Sequence, residues 1–521
     1  MLIHARANSG TPCRRFSLIA YLVPCCGNSM RHRLLPFTLS LLLGLTPVVP
    51  ATAQSIQLPD IGDPASVYFG ADDEQKLGLD IMRRLRNRGA VMEDVQLNEY
   101  LNSIGQSIVT YADHNGAPYT FFMVRDSSIN AFAMPHNFIG INAGLLLTTQ
   151  REDELAGVIA HEIAHVSQRH IARAIADMKR LSLPLAAAML AGAALAAASK
   201  QAGSAAMVSS MAASAQHQIS FTRANEQEAD RIGMQLLANA GFDPKGMTDF
   251  FSKLERLSSG EARNQIPDML RTHPRPESRA ADTQDRLSIP TIRRSGPRDR
   301  NAYHLAKART LALLTEDNHT LIRELEIRLA KGDFTHEPAE RYAYAIALRQ
   351  AGRYEDAQQQ IQRLQRSDPD RLAFRIEAAE IALARGDRTQ AMRLFEDAQR
   401  LYPDDFTLAM HYGRALSSQG DPQRAMRLLQ PHLRRRPNDP QLYAVYAQAA
   451  ERAGDRAETH ATMAEYHYLN GELLAAIEQL EIGLRNPGLT PNQEARLRAR
   501  LKLFQAEALA QDLPVSKRTP P

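Results

Sequence analysis

Cysteine is absent from nearly all of this chain: its 521 residues include three cysteines, and all three lie within the first 26 positions. The residues after them therefore exclude disulfide bonds, a thiol nucleophile and a Cys-ligated metal site. A strong charge is also absent, since the formal net charge is +4 and residues 1–53 alone contribute five arginines and no acid. The remainder is close to neutral, which argues against nucleic acid as a partner.

The composition excludes several further classes of protein. Hydrophobic residues make up 44% of the chain and charged residues 23%, values that argue against a disordered chain, a collagen or a polytopic membrane protein. At about 150 residues per domain, the length allows three or four domains. We therefore expect a soluble globular protein with several domains.

The N-terminal residues are typical of an export signal. Met30 begins a basic stretch, residues 34–49 are apolar, and residues 51–53 have the small-x-small pattern of a cleavage site. An uncleaved N-terminal anchor is the alternative, whereas a lipoprotein is disfavoured because no cysteine follows the apolar run. We expect an upstream extension before the true start over residues 1–29, and a signal peptide over residues 30–53 that is cleaved after Ala53.

The C-terminal part contains a repeat of 34 residues. Its turn glycines are Gly352, Gly386, Gly420 and Gly454, and prolines, alanines and small residues keep the same spacing. This pattern resembles tetratricopeptide (TPR) repeats, so we expect an α-solenoid over residues 301–510 with a weak first repeat and an atypical last one. The concave surface of a solenoid favours protein binding, and a scaffold that only stabilises its neighbour is the alternative. The other repeat columns are Pro369, Pro403 and Pro437; Ala357, Ala391 and Ala425; and Ala345, Ala379, Gly413 and Ala447.

The sharpest chemical motif is His161-Glu162-Ile163-Ala164-His165. On a helix, residues four apart share a face, so the two imidazoles can converge on one metal ion while Glu162 reaches a water bound to it. The apolar run over 155–160 leads into the motif, and buried ionisable residues imply a ligand or a partner. Core histidines that are satisfied by other protein groups are the alternative.

A catalytic zinc site usually has three protein ligands and one open position. Without cysteine, the third ligand must be His, Asp or Glu. The best candidate is Glu226, which shares a helix face with Asp230; we expect Glu226 to bind the metal and Asp230 to accept a hydrogen bond from a ligating histidine. We expect Glu228 to be solvated, and His170 and His217 to be surface or packing residues. An acidic, solvated helix face is the alternative for this segment.

These motifs together resemble the gluzincin peptidases of the HtpX and CAAX prenyl endopeptidase family. Residues 130–135 and 141–146 also match that family, in which they form an edge strand beside the active site. One departure is His136-Asn137, where relatives often have glycines. The order of signal peptide, peptidase domain and TPR tail resembles the BepA-type periplasmic branch of the family, which is associated with outer-membrane protein assembly and quality control.

The resemblance implies a mainly α protein, with an α+β zincin-like metallopeptidase domain over 54–290 that contains a small β-sheet. It implies a periplasmic zinc endopeptidase with one Zn²⁺ per chain, although the same ligands can hold other divalent metals. The implied partners are unfolded or misassembled envelope proteins and, through the repeats, the outer-membrane assembly machinery. The alternatives are a chaperone with a silent peptidase site and an enzyme anchored in the inner membrane. The implied metal ligands are His161, His165 and Glu226, and the implied catalytic residues are Glu162, Asp230 and His273.

His273 has more than one interpretation. The resemblance implies either a donor to the tetrahedral oxyanion or a ligand that fills the open zinc position until it is displaced. A loop histidine at a domain boundary is the remaining alternative.

One uncharged stretch of 19 residues, 181–199, is long enough to span a bilayer. However, His161 and His165 precede it and Glu226 follows it, so a single crossing would separate the ligands of one metal ion. We therefore expect residues 181–215 to form an apolar lid or hairpin.

Overall fold

The computed structural model describes residues 69–113, 118–177, 223–259, 267–273 and 299–514. The expected signal peptide, the apolar hairpin over 181–215 and His217 lie outside these residues. Within them, helices dominate and a single three-stranded sheet is present, which confirms a mainly α fold with a small sheet. The described residues belong to one compact unit, Gly62–Pro521, so the division into domains over 54–290 and 301–510 stays a prediction.

The helices of the N-terminal part, residues 69–273, begin with the two amphipathic helices that the sequence predicts. Their apolar stripes are buried, from Leu77 to Leu85 in the first and from Leu97 to Ile108 in the second, as expected for one core-facing side. The helices that the structure describes in this part are α1 Ala71–Asn87, α2 Val95–Val109, α3 Ala143–Thr148, α4 Glu152–Ser167, α5 His170–Asp177, α6 Arg223–Asn239, α7 Lys245–Ser259 and α8 Asp268–Thr272.

The sheet has the order β1-β3-β2, with β1 Thr120–Val124, β2 Ala131–Met134 and β3 Phe138–Asn142. Strands β1 and β3 are parallel, with Thr120 opposite Phe138, whereas β2 and β3 are antiparallel, with Met134 opposite Phe138. Among the described strands, β2 therefore lies at an edge, as the family resemblance implies.

The turn between β2 and β3 explains why glycine suits it in relatives. Both His136 and Asn137 have left-handed backbone, with φ of 65° and 57°, a conformation that costs a residue with a Cβ about 1–2 kcal/mol. Asn137 is fully buried, and a Cβ at Gly78 of α1 would lie 2.4 Å from the Pro135 carbonyl oxygen. The turn is therefore packed tightly against α1.

Two expected boundaries are wrong. The β-rich segment 129–141 predicts short strands that are broken at Pro135 and at Gly140. Gly140 instead lies inside β3, where a Cβ would meet the Phe132 ring at 2.6 Å, so the ring occupies the space above the glycine. The residue pattern alone predicts one helix from about Glu152 to Ala174. The chain forms two helices there, because Arg169 takes left-handed backbone with φ of 53° and turns the chain between α4 and α5.

The C-terminal part, residues 299–514, is a series of helical hairpins with the predicted period. The four turn glycines all have positive φ, between 77° and 101°, which explains their recurrence at helix ends. The small residue of each repeat is buried where two helices approach; a Cβ at Gly413, for example, would lie 2.9 Å from Leu429. The last helix has 20 residues, unlike the preceding ones. The helices are α9 Arg300–Leu314, α10 Asn318–Lys331, α11 Glu337–Gln350, α12 Tyr354–Ser367, α13 Leu372–Arg385, α14 Arg388–Leu401, α15 Phe406–Gln419, α16 Pro422–Arg435, α17 Pro440–Arg452, α18 Arg456–Leu469, α19 Leu473–Leu484 and α20 Pro491–Ala510.

The two parts are packed against each other through α2 and α9. Val95 at the start of α2 enters an apolar cluster with Phe406 and Met410 of α15. Helix α9 contacts both α2 and α3, and its Tyr303 hydroxyl lies 2.9 Å from the Thr149 hydroxyl at the end of α3. In the part of the chain that the structure describes, no helix is both long enough and apolar enough to cross a membrane.

Candidate metal centre

Helix α4 carries the His-Glu-x-x-His motif through the middle of the core. Three acidic residues in its first turn favour the positive end of the helix dipole, and the apolar run that follows is fully buried. Helices α6 and α7 approach α4 closely: a Cβ at Gly233 would lie 3.1 Å from the Ala160 carbonyl oxygen, and one at Gly157 would lie 2.8 Å from Met247. This close packing brings the acidic face of α6 to the two histidines.

Four side chains converge, as the sequence predicts for three of them. His161, His165, Glu226 and His273 each offer a ligand atom within 4.8 Å of the others, and all four are buried. The Nε2 atoms of His161 and His165 are 3.0 Å apart, and the Glu226 carboxylate oxygens lie 3.5 Å from each. We call these four residues the metal site.

His273 joins this group from the end of α8. Its Nδ1 lies 3.3 Å from His161 Nε2 and 3.0 Å from a Glu226 oxygen. Helix α8 is tied to the segment before β2, because the Met269 amide donates to the Ile129 carbonyl oxygen. With 5% of its surface exposed, His273 is a buried member of the site and not an exposed loop histidine.

Glu162 and Asp230 flank the metal site in different ways. The Asp230 carboxylate lies 2.9 Å from Nδ1 of His161, on the ring edge opposite the converging Nε2 atoms. Glu162 is 1% exposed, and its Oε1, which lies 3.5 Å from His273 Nε2, has no hydrogen-bond partner among the described residues. A buried carboxylate oxygen without a partner, directed at a cluster of metal donors, suits a group that handles a proton.

Most of the distances are close to those around a tetrahedral zinc ion. With zinc–nitrogen and zinc–oxygen bonds of about 2.0–2.1 Å, the edges of a tetrahedron are about 3.3 Å long. Five separations, three of which involve one or other of the two Glu226 oxygens, lie between 3.0 and 3.5 Å, and all four ligand atoms lie within 4.8 Å of one another. Nitrogen and carboxylate oxygen are ligands that zinc prefers, and a cation satisfies lone pairs that would otherwise face one another in the core.

The electrostatics hold two of the donors, His165 and Glu226, in forms that bind metal. Burial lowers the pKa of His165 well below its usual value, so this imidazole is neutral. Burial acts to raise the pKa of Glu226, but its electrostatic interaction with His273 and its hydrogen bonds with His161 and His273 hold it well below its usual range. Burial also acts to lower the pKa of His161, yet hydrogen bonding to Asp230 and Glu226 raises it to about 9, so a metal ion must displace a proton there.

His170, which we expected to be a surface or packing residue, contacts one of the predicted metal ligands. The residue is fully buried, and its Nδ1 lies 2.8 Å from Nδ1 of His165. Glu228, expected to be solvated, is half-buried and lies 3.1 Å from His170 Nε2. The signal was hidden because His170 follows His165 by five residues, a spacing that shares no face of a continuous helix.

Comparisons with known proteins agree with this architecture. The profile of Peptidase family M48 matches residues 95–287, and that of the tetratricopeptide repeat matches residues 382–449. The chain is 36% identical over 353 residues to the beta-barrel assembly-enhancing protease of Escherichia coli K12, covering 67% of this chain and 72% of that protein.

Two further relatives match different shares of the chain. The putative beta-barrel assembly-enhancing protease of Vibrio cholerae serotype O1 is 39% identical over 337 residues, or 64% of this chain and 69% of that protein. The metalloprotease LoiP of Escherichia coli K12 is 27% identical over 201 residues, which is 38% of this chain and 72% of that protein. The chain therefore belongs to the family of beta-barrel assembly-enhancing proteases, and it is a metal-dependent protease with TPR repeats.

Proposed function

We propose that this protein is a periplasmic zinc endopeptidase that degrades misassembled envelope or outer-membrane proteins and assists their assembly. The observation that carries the proposal is the convergence of four buried donors beside a buried carboxylate, Glu162. The names of the relatives supply the link to β-barrel assembly. The predicted signal peptide over residues 30–53 supports the periplasm.

His161, His165 and Glu226 would hold the zinc ion. When bound, zinc polarises a carbonyl group and lowers the pKa of a water molecule, which is the chemistry that peptide hydrolysis needs. Asp230 would orient His161, because its carboxylate lies 2.9 Å from Nδ1 of the ring and leaves Nε2 free to bind the metal.

Glu162 is the proposed general base and acid. Its side chain follows His161 on α4 and is buried, so its carboxylate would act in a site from which bulk water is largely excluded. Glu162 would take a proton from the attacking water and deliver it to the leaving amine of the cleaved peptide.

His273 is the proposed closing residue of the site. Its Nδ1 takes part in the same set of donors as the three ligands, where a catalytic site keeps a position for water or substrate. We infer that His273 fills this position and must leave it before a substrate is cut. If His273→Ala raises proteolysis, the closing role stands; if the substitution lowers it, His273 acts as the oxyanion donor instead.

The substrate would bind along β2. This strand lies at the edge of the sheet, and α4 packs against it, so an extended peptide added to β2 would run beside the metal site. Backbone hydrogen bonds at such an edge bind peptides with little dependence on sequence, which suits misassembled clients. The repeats of the C-terminal part would select these clients or dock the assembly machinery.

The test compares proteolysis of an unfolded reporter protein by the wild type, Glu162→Gln and Glu154→Gln. Glu154 is the matched control, because it is a buried carboxylate on the same helix that pairs with Lys253 at 2.8 Å. We expect Glu162→Gln to lose at least about 100-fold in rate while holding one zinc ion per chain, and Glu154→Gln to keep cutting. Cleavage by Glu162→Gln at the wild-type rate would rule out the assigned mechanism.

The closed arrangement of His273 favours one second function, a chaperone whose peptidase site opens rarely. If the protein acts as a chaperone, Glu162→Gln should support assembly of outer-membrane proteins as well as the wild type does. Assembly of a β-barrel protein in cells that carry either form distinguishes the two functions.

A further inference from the structure

A chain reversal directly after helix α4 places a fourth histidine, His170, beside the metal site. Helix α4 ends at Ser167, Arg169 adopts φ of 53°, and α5 begins at His170. Left-handed backbone at a non-glycine residue is costly, so the surrounding packing must impose it. Its effect is to place the imidazole of His170 against that of His165, with ring centroids 4.8 Å apart.

With His165 bound to a metal ion through Nε2, the contacts in this region assign a position to each ring proton. His165 points Nε2 at the other metal donors, so this nitrogen needs a free lone pair and the ring proton lies on Nδ1. The atom opposite, 2.8 Å away, is Nδ1 of His170, which must therefore accept. His170 then carries its own proton on Nε2 and donates it to the Glu228 carboxylate at 3.1 Å.

Glu228 is itself held in place. Arg173, one turn along α5 from His170, lies 3.3 Å from the same Glu228 oxygen and also donates through Nε to the Gln168 carbonyl oxygen at 2.9 Å. The guanidinium thus connects the end of α4, helix α5 and helix α6. Because burial of Glu228 is partial, the Arg173 pair acts mainly on geometry, since exposed pairs add little stability.

We propose that His170 and Glu228 are positioning residues that form a hydrogen-bonded relay, Glu228 to His170 to His165, which selects the tautomer of His165 that binds the metal through Nε2. The inference rests on the proposed function, in which His165 is a metal ligand. The two proposed histidine ligands are thus oriented by different contacts. The Asp230 carboxylate lies 2.9 Å from His161, whereas the Glu228 carboxylate acts on His165 through the imidazole of His170. Through the relay, the Glu228 carboxylate orients the His165 ring without placing a negative charge in direct contact with it.

The experiment measures Zn²⁺ affinity of the purified protein by competition with a chelator, together with the unfolding midpoint of the metal-free form. We expect His170→Ala to weaken Zn²⁺ binding about 10–100-fold, the range for residues that orient a metal ligand. His170→Asn should recover most of this loss, because its amide oxygen can take the place of Nδ1 as acceptor. Glu228→Gln alone should weaken Zn²⁺ binding less than His170→Ala does. Combined with His170→Ala, it should cause almost no further loss of affinity, since both residues act through one chain of hydrogen bonds.

His432→Ala is the matched control for the loss of a buried histidine, because His432 is 4% exposed and lies on α16 of the repeats. It should lower the unfolding midpoint and leave Zn²⁺ affinity unchanged. If His170→Ala behaves like His432→Ala, or if His170→Asn binds Zn²⁺ as weakly as His170→Ala, the relay is refuted. His165→Ala separates the two proposals. If His165→Ala binds Zn²⁺ with wild-type affinity, the assignment of His165 as a ligand is wrong. If His165→Ala loses zinc while His170→Ala keeps wild-type affinity, the ligand assignment stands and only the relay is refuted.

Discussion

Two groups of buried or half-buried charged residues in the part of the chain that the structure describes differ in where their positive charge comes from. In the metal site, the carboxylate of Glu226 faces histidines. In the second group, which we call the ion-pair cluster, Asp94 and Glu377 face Arg309 and Arg349. The first group therefore lends itself to a metal cation, whereas the second contains equal numbers of acidic and guanidinium groups.

The ion-pair cluster is also a structural junction. Asp94 caps α2 of the N-terminal part by accepting from the Leu97 amide, and the same carboxylate receives two hydrogen bonds from Arg309 of α9, at 2.6 and 2.8 Å. Arg349 and Glu377 extend the cluster into α11 and α13. In the ion-pair cluster every carboxylate faces a guanidinium group, which suits a fixed contact between two parts of a protein. In the metal site the Glu226 carboxylate faces histidines, which suits a site that takes up a metal ion.

The largest effect should come from Arg309→Met. The substitution leaves Asp94 buried without its cation, and removal of one partner from a buried ion pair costs about 3–5 kcal/mol. Urea unfolding of the metal-free protein measures the loss. The double variant Arg309→Met with Asp94→Leu should regain part of it, because no lone charge remains; equal instability of the single and double variants would contradict this account.

Metal removal should have the next largest effect, and only through the metal site. Free Zn²⁺ at 100 to 1,000 times its dissociation constant stabilises a folded protein by about 2.7–4.1 kcal/mol. We expect a chelator to lower the unfolding midpoint of the wild type and of Arg309→Met, but not that of His165→Ala. A chelator-induced shift in His165→Ala would mean that zinc binds elsewhere.

Acid should weaken the ion-pair cluster through Asp94. Burial acts to raise the pKa of this carboxyl group, but the charge and hydrogen bonds of Arg309 hold it below 3.8. Because the folded pKa is the lower one, Asp94 contributes stability above pH 3.8, and this contribution disappears as the pH falls through the folded value. The difference in unfolding free energy between the wild type and Asp94→Asn should therefore shrink from pH 5 to pH 3.

The metal site was largely predictable from the sequence because its residues follow the helix period. His161 and His165 share one face of α4, and Glu226 and Asp230 share one face of α6, as spacings of four residues predict. The 34-residue period likewise predicted the turn glycines of the repeats. Regular backbone makes such inferences reliable.

Other features escaped because they depend on irregular backbone or on distant contacts. The left-handed turn at Arg169 brings His170 to the metal site, and no helical spacing marks it. The pair between Asp94 and Arg309 joins residues 215 positions apart, so only the packing of the two parts of the chain reveals it. The same packing explains why Gly140 could be mistaken for a strand end, since the ring that covers it comes from another strand.

The smallest loss of stability should come from Tyr342→Phe, beside the ion-pair cluster. The Tyr342 hydroxyl accepts from Arg309 at 3.3 Å and donates to the Gln96 side chain at 3.2 Å, and the ring is 1% exposed. Loss of this neutral group should cost about 0.5–1.5 kcal/mol, because the two charges of the pair with Asp94 remain matched. Urea unfolding measures the change, and Zn²⁺ affinity should stay at the wild-type value. If Tyr342→Phe lowers the free energy of unfolding as much as Arg309→Met does, the hydroxyl is as important to the ion-pair cluster as the charges are. The proposed contrast between the ion-pair cluster and the metal site would then be wrong.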